Sequence, residues 1–409
     1  MTITSDISTA TGDGSDDVAQ TTALLVERAR GLHELLRSQA ARIEQDRRVP
    51  DAVIDALSEA GLFRISTPKR FGGYELPFRS SLEINAAIAE GDGSTAWVTT
   101  LTNVCNWMVG LFPDQTQREV FEGNPDARVC GVVAPTSTAI RVEGGLRVTG
   151  RWSPASGSAS AQWAGLGVPV VDESGAQIDQ GFALFPMEEL TIEDTWFVAG
   201  MQGSASNTLV ADDVFVPDHR ILSISRATEG DYATEHKEEA LYRSAFIPVM
   251  AIVLAGPVAG TAKAALDFVL AALAKGKGIS YTFYERSVDA ASTQISMAEA
   301  AILVDTCYLH LYRACDAIDQ AAASGVYPDR LERARARMDT GYVARKAREA
   351  VDTLLNVHGA GGMAQASPLQ HFWRDVNTGS RHAVVNSLIS AEAFGRELLH
   401  LPEQITPLV

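Results

Sequence analysis

Three short polar stretches hold the side chains in this chain that could do chemistry. Two lie late, His358-Gly359-Ala360-Gly361-Gly362-Met363 and Arg374-Asp375-Val376-Asn377-Thr378-Gly379-Ser380-Arg381-His382, and one lies centrally, Trp152-Ser153-Pro154-Ala155-Ser156-Gly157-Ser158. Imidazole has an ordinary pKa near 6.5, so His382 is the candidate acid or base at neutral pH, with Arg381 and Asp375 close enough in sequence to tune it. A satisfied structural network is the competing explanation for the same residues. The glycines after His358 also suit a helix C-cap. The hydroxyls around Ser156 suit either a polar turn or hydrogen bonds to a planar ligand.

Missing signatures narrow the chemistry further. The sequence has no GxxxxGK[ST], HExxH, paired CxxC or GxSxG, and no GxGxxG following a strand, so a standard nicotinamide site is not expected. A net charge of −17 disfavours nucleic acid as a partner. The basic run Arg330 to Arg348 shares its segment with Leu331, Ala334 and Met338, which reads as a solvated helix face or, alternatively, an anchor for a phosphate-bearing ligand.

The elements that must position these groups follow from the hydrophobic period. At 409 residues the chain needs two or three packed units. The period is helical over residues 21–125: Pro50-Asp51 opens a short helix that Gly61 closes, and Gly91-Asp92-Gly93 divides two apolar stretches between Leu82 and Leu111. Over residues 126–235 the period becomes two, with a hairpin expected where Ile140 and Val142 meet Leu146 and Val148 across Gly144-Gly145. Residues 236–409 return to long helical segments, as in an antiparallel bundle. Residues 1–20, rich in Thr, Ser, Asp and Gly without a basic or apolar signal, read as a disordered tail. Val249 to Val258 is interrupted by Gly256 and Pro257, short of the roughly 20 apolar residues of a membrane helix, so no span is expected. Four cysteines without paired spacing fit a cytoplasmic protein.

Several motifs in order give the chain a family resemblance. RFGG (Arg70–Gly73), GDGSTAW (Gly91–Trp97), GMQGSASN (Gly200–Asn207), DDVFVP (Asp212–Pro217), HGAGGM and RDV (Arg374–Val376) resemble the acyl-CoA dehydrogenase superfamily. The resemblance implies an N-terminal helical domain, a β-barrel-like central domain and a C-terminal four-helix bundle, assembled as a homotetramer. It places flavin between the β domain and the bundle, with Ala134 and Thr136 in a loop against the ring, Trp152 and Ser156 on the strand behind it, and Arg286, Gly361 and Gly362 as phosphate contacts.

The glutamate with which dehydrogenases of this fold remove an α-proton is missing here. Its two family positions fall at about His382-Ala383 and at Val249. The pattern is more similar to the two-component flavin monooxygenases of the fold, which include aromatic hydroxylases and amino-sugar N-oxygenases. That likeness implies reduced FMN or FAD delivered by a separate flavin reductase, reaction with O2 through a C4a-peroxyflavin, Ser156 donating to flavin N5, His382 as acid or base, and Trp97, Asn103, Cys105 and Asn106 on the substrate-pocket helix. Helical spacing alone makes those last four ordinary core. An acyl-CoA dehydrogenase or oxidase and a noncatalytic scaffold are the alternatives.

Overall fold

The computed structural model describes residues 14–406. The expected tail lies outside the described residues up to residue 13, but residues 14–20 are not disordered: they begin the first helix. The N-terminal part comprises α1 (Gly14–Gly31), α2 (His33–Asp46), α3 (Asp51–Glu59), α4 (Phe78–Ala89), α5 (Gly93–Val109) and α6 (Asp114–Phe121). Pro50 precedes α3 in extended geometry, and Gly61 at φ +77° follows its end. The Gly91-Asp92-Gly93 break works differently. Asp92 caps α5, its carboxylate accepting from the Thr95 amide at 2.7 Å, so α5 starts at a fixed point and direction. Leu25, Leu36, Val53, Leu57, Phe63, Ile84 and Ile88 form the core of this part.

Two four-stranded sheets make the middle of the chain, from β1 (Val129–Val132), β2 (Ser137–Val142), β3 (Gly145–Ala155), β4 (Trp163–Val171), β5 (Gln177–Pro186), β6 (Thr191–Glu193), β7 (Asn207–Pro217) and β8 (Ile221–Ser223). Their orders are β1-β4-β5-β8 and β2-β3-β7-β6. The hairpin forms as expected, Val142 pairing with Gly145 around Gly144 at φ +75°. Alternation along β3 sends Leu146, Val148 and Trp152 between the sheets to meet Leu166, Phe185 and Leu209.

The helical C-terminal part consists of α7 (Ile224–Ala227), α8 (Phe246–Ile252), α9 (Ala255–Leu273), α10 (Ala291–Ser324), α11 (Arg330–His358), α12 (Pro368–Gly379) and α13 (Ser387–Leu398). Residues 246–273 are long and apolar enough to cross a bilayer by length and composition. However, 83% of the apolar window is buried inside the protein, which accounts for that composition. The basic segment of α11 is a solvated face only in part: Arg335 and Arg345 are exposed, whereas the others turn into the protein. Arg333 and Arg337 are buried; Arg333 donates to the Thr228 carbonyl at 3.1 Å and lies over Tyr327, Arg330 pairs with Glu397, and Arg348 donates to Ser380. These arginines tie α11 to the chain around it.

One close approach locks the β part to the bundle. A Cβ built on Gly200 would lie 2.2 Å from the Arg374 carbonyl oxygen and 2.7 Å from Thr378 Oγ1, both on α12. Gly200→Ala must therefore push the loop after Gly200 off α12. We expect a loss of about 1–3 kcal/mol, read as a lower urea midpoint with an unchanged m-value; an unchanged midpoint would show that the loop yields freely.

Candidate active site at the junction of the three parts

Three of the residues singled out by sequence meet here. Trp97 sits at the start of the second turn of α5, Ser156 directly follows β3, and His382 lies just beyond α12. Trp97 Nε1 donates to Ser156 Oγ at 3.2 Å, and the Trp97 and His382 rings lie 5.9 Å apart at 59°. Gly379 makes this convergence possible: a Cβ there would be 3.3 Å from Trp97 and 3.0 Å from Met201. His382 Nδ1 accepts from the Val384 amide at 3.4 Å, which leaves the proton of the neutral ring on Nε2. Burial pushes His382 down to about 4, so the ring is neutral at pH 7.

Neither expected partner tunes His382. Arg381 donates to Asn377, and Asp375 accepts from the Met201 amide at 2.6 Å and faces His371. Asp375 instead belongs to a buried cluster that sequence reasoning missed. His371 lies between Glu44 (Nδ1, 2.7 Å), Asp92 (Nε2, 3.3 Å) and Asp375 (Nε2, 3.4 Å). Burial disfavours its charge, yet the carboxylates outweigh that and hold its pKa well above the usual histidine range. Burial raises Asp375 to about 6, despite the opposing pull of His371. The signal for Asp92 was present, since Asp followed by Gly-Ser-Thr before an apolar run is an N-cap pattern.

A second missed feature is a line of hydroxyls behind Ser156. Ser156 Oγ is 2.6 Å from Ser206 Oγ, which is 2.7 Å from Ser204 Oγ, which donates to the Met201 carbonyl at 2.8 Å. The one-turn helix Gln202–Ser204 carrying Ser204 is flanked by Met201 at φ +54° and Ala205 at φ +46°, left-handed conformations costly for residues with a Cβ.

Other expected site residues have structural uses. Asn103 accepts from the Ile65 and Ser66 amides and donates to the Leu62 and Thr99 carbonyls, holding a loop rather than lining a pocket. Asn106 donates to the Phe63 and Ala127 carbonyls, and Cys105 is a buried thiol whose pKa burial raises. Trp152 is fully buried between the sheets, its Nε1 donating to the Gly167 carbonyl at 2.8 Å, so its side chain cannot touch a ligand. Ala134 and Thr136 are exposed in a loop beside β3, where Thr136 Oγ1 donates to the Arg151 carbonyl. Arg286 is exposed and paired with Asp289, and Gly361 and Gly362 lie in a one-turn helix, with Gly362 packed under Leu355 and Leu369. No hydrogen bond among the described residues joins Arg286, Gly361 or Gly362 to Trp97, Ser156 or His382.

Comparison with known proteins accounts for this arrangement. Residues 21–121 match the acyl-CoA dehydrogenase N-terminal domain, and residues 252–387 match its C-terminal domain. The chain is 34% identical to the oxygenase component of FADH(2)-dependent resorcinol hydroxylase from Rhizobium sp. (strain MTP-10005), over 92% of this chain and 94% of that protein. It is 32% identical to the flavin-dependent monooxygenase oxygenase subunit HsaA of Mycobacterium tuberculosis, over 90% and 93%. The structure of XiaF from Streptomyces sp. in complex with FADH2 and glycerol superposes with a TM-score of 0.92 at 34% identity, covering 96% of this chain and 99% of that one. The chain is a flavin-dependent monooxygenase of the acyl-CoA dehydrogenase fold.

The residues of this monooxygenase fit a flavin ring. Ser156 offers a hydroxyl at the edge of the junction, just after the exposed Ser153 and Pro154 of β3, and its neighbours Trp97 and Ser206 and the nearby His382 carry no charge at neutral pH. A polar but uncharged surface suits a heteroaromatic ring whose edge both donates and accepts. Val249, one family position of the dehydrogenase glutamate, is completely buried in the apolar core.

Two outcomes follow. Asn103→Leu strands the Ile65 amide and the Leu62 carbonyl in the interior, and is expected to lower unfolding free energy by about 3 kcal/mol in urea titrations. For His382, the unfolded chain protonates near pH 6.5 and the folded chain only near 4. The unfolded state thus binds more protons between those values, and stability falls as pH drops through that window. His382→Gln should flatten the decline between pH 7 and 5; equal slopes in variant and parent would show that His382 titrates normally.

Proposed function

We propose that this monooxygenase hydroxylates the ring of a phenolic or related aromatic substrate, using FADH2 delivered by a separate reductase. The observation that carries the reading is the meeting of Trp97, Ser156 and a neutral His382, whose pKa burial alone lowers. Resorcinol hydroxylase supports both the aromatic acceptor and the flavin, and its description as an oxygenase component supports the separate reductase. The XiaF complex with FADH2 supports FAD over FMN. A nucleotide-linked amino sugar would need cationic groups for its diphosphate, and the arginines of α11 are engaged within the chain. Assembly as a homo-oligomer is supported by Ile295, Ile302 and Leu309, an exposed apolar line at seven-residue spacing on α10.

In the net reaction one atom of O2 enters the ring and the other leaves as water, with the reduced flavin supplying two electrons. Bound flavin supplies the oxygen activation. The chain positions the ring, excludes water around Trp97, and offers His382 Nδ1, whose 3.4 Å contact with the Val384 amide is long enough to give way, for the proton of the substrate hydroxyl.

The test supplies purified protein with FADH2, labelled O2 and a panel of mono- and dihydroxybenzenes. One labelled oxygen per product molecule is expected; hydrogen peroxide as the sole oxygen product with every phenol would defeat the reading. His382→Ala should lower product turnover by about 10²- to 10⁴-fold while oxygen consumption continues as peroxide release. Ser156→Ala should raise the peroxide share with less effect on flavin oxidation.

A further inference from the structure

We propose that Ser204 and Ser206 fix the direction of the Ser156 hydroxyl and so make the site distinguish reduced from oxidised flavin. The inference rests on the flavin reading above, with Ser156 next to flavin N5.

The argument counts protons. The Met201 carbonyl can only accept, so the Ser204 proton is committed to it at 2.8 Å. The contact between Ser204 and Ser206 at 2.7 Å then needs the Ser206 proton, and the contact between Ser206 and Ser156 at 2.6 Å needs the Ser156 proton. Trp97 Nε1 is a donor only, and occupies one lone pair of Ser156. One lone pair on Ser156 is left, and no proton. Ser156 therefore accepts from its ligand, the reverse of the donor role expected from sequence.

Flavin N5 carries a hydrogen in the reduced form and a bare lone pair in the oxidised form. The aligned relay meets the first with a hydrogen bond and the second with two facing lone pairs. Reversing the relay would let Ser156 donate to oxidised N5, but would turn the Ser204 proton away from the Met201 carbonyl and set two oxygen lone pairs against each other at 2.8 Å; the carbonyl would keep its Trp196 Nε1 donor at 2.9 Å and the Ser204 amide at 3.1 Å. Ser204 and Ser206 are buried, with 0% and 2% exposure, so water cannot make up the loss. The left-handed residues on either side of Ser204 hold the relay in register. Ser204 and Ser206 are thus positioning residues that act through Ser156.

The test is anaerobic titration of FAD and of dithionite-reduced FAD into the full-length protein and three variants, taking the ratio of oxidised to reduced Kd. Ser206→Ala frees the Ser156 proton, and Ser204→Ala frees the Ser206 proton to turn toward Ser156. Each should lower the ratio by about fivefold, the equivalent of one net hydrogen bond, with the midpoint potential of bound FAD falling by about 20 mV. Ser206→Thr keeps the hydroxyl and should keep the ratio. A purely structural role would weaken both flavin forms together, and an unchanged ratio in both alanine variants would overturn the relay. Should Ser206→Ala fail to fold, Ser204→Ala decides the matter. A parent protein that binds neither form of FAD would overturn the flavin reading, and the relay proposal with it.

Discussion

The arrangement depends on a buried imidazolium. His371, on α12, is the shared counter-ion of Glu44 from α2, Asp92 from the cap of α5 and Asp375 from its own helix. Two fully buried carboxylates beside a half-buried third are prohibitive without a cation, and a lone imidazole there would shed its proton. Together each makes the other tolerable: the carboxylates hold His371 protonated, and His371 helps hold Glu44 and Asp92 ionised against the burial that opposes them. Arg374 adds a second cation on Glu44 at 2.5 Å. Removing one partner would leave the others uncompensated, so the cluster favours docking of these helices as a unit.

The consequences run outward along hydrogen bonds. Asp92 fixes where α5 begins, and hence where Trp97 stands. Asp375 takes the Met201 amide at 2.6 Å, which anchors the left-handed turn carrying Ser204 and Ser206. That turn receives the Gly157 amide on the Ser204 carbonyl at 2.7 Å and Ser158 Oγ on the Ala205 carbonyl at 2.8 Å, so the end of β3 is registered against it. The hydroxyl of Ser156 is therefore placed by a carboxylate on another domain, through one peptide unit and two serines. Precision of this kind comes from rigid supports rather than from the strength of any one bond.

How much of this was legible in the sequence depended on distance along the chain. The hairpin at Gly144, the cap position near Pro50 and the break at Gly91-Asp92-Gly93 are local, and local rules found them. The convergence of Trp97, Ser156 and His382 was reached through family motifs, because residues separated by hundreds of positions leave no periodic trace. The errors have a common cause. Asn103, Trp152 and the α11 arginines are polar or amphipathic groups read for chemistry or for solvent, whereas packing satisfies them internally: Asn103 on loop amides, Trp152 on a strand carbonyl, Arg333 on the Thr228 carbonyl. Which polar side chains are satisfied by the protein is decided by tertiary neighbours. The serine relay was in plain view within GMQGSASN, yet its direction needed three distances.

The weak basicity of His382 also bears on which reaction the fold can run. With a pKa near 4, it could take a proton from a free phenol, of pKa about 10, only at a cost of about 8 kcal/mol. A thioester α-proton is a far weaker acid still, so this imidazole is poorly suited to removing one. Electrophilic oxygenation makes a different demand. As the ring carbon bonds to oxygen, the substrate hydroxyl becomes part of a protonated dienone, and its acidity rises by many orders of magnitude within that step. A weak base already in place then suffices, and its weakness has a use: it stays neutral at pH 7, ready to accept, and places no cation beside an electron-rich ring. Burial that would push a carboxylate here up toward its protonated form keeps an imidazole free of its second proton. The same desolvation that leaves this junction poorly adapted to α-proton removal therefore suits it to hydroxylation of an activated ring.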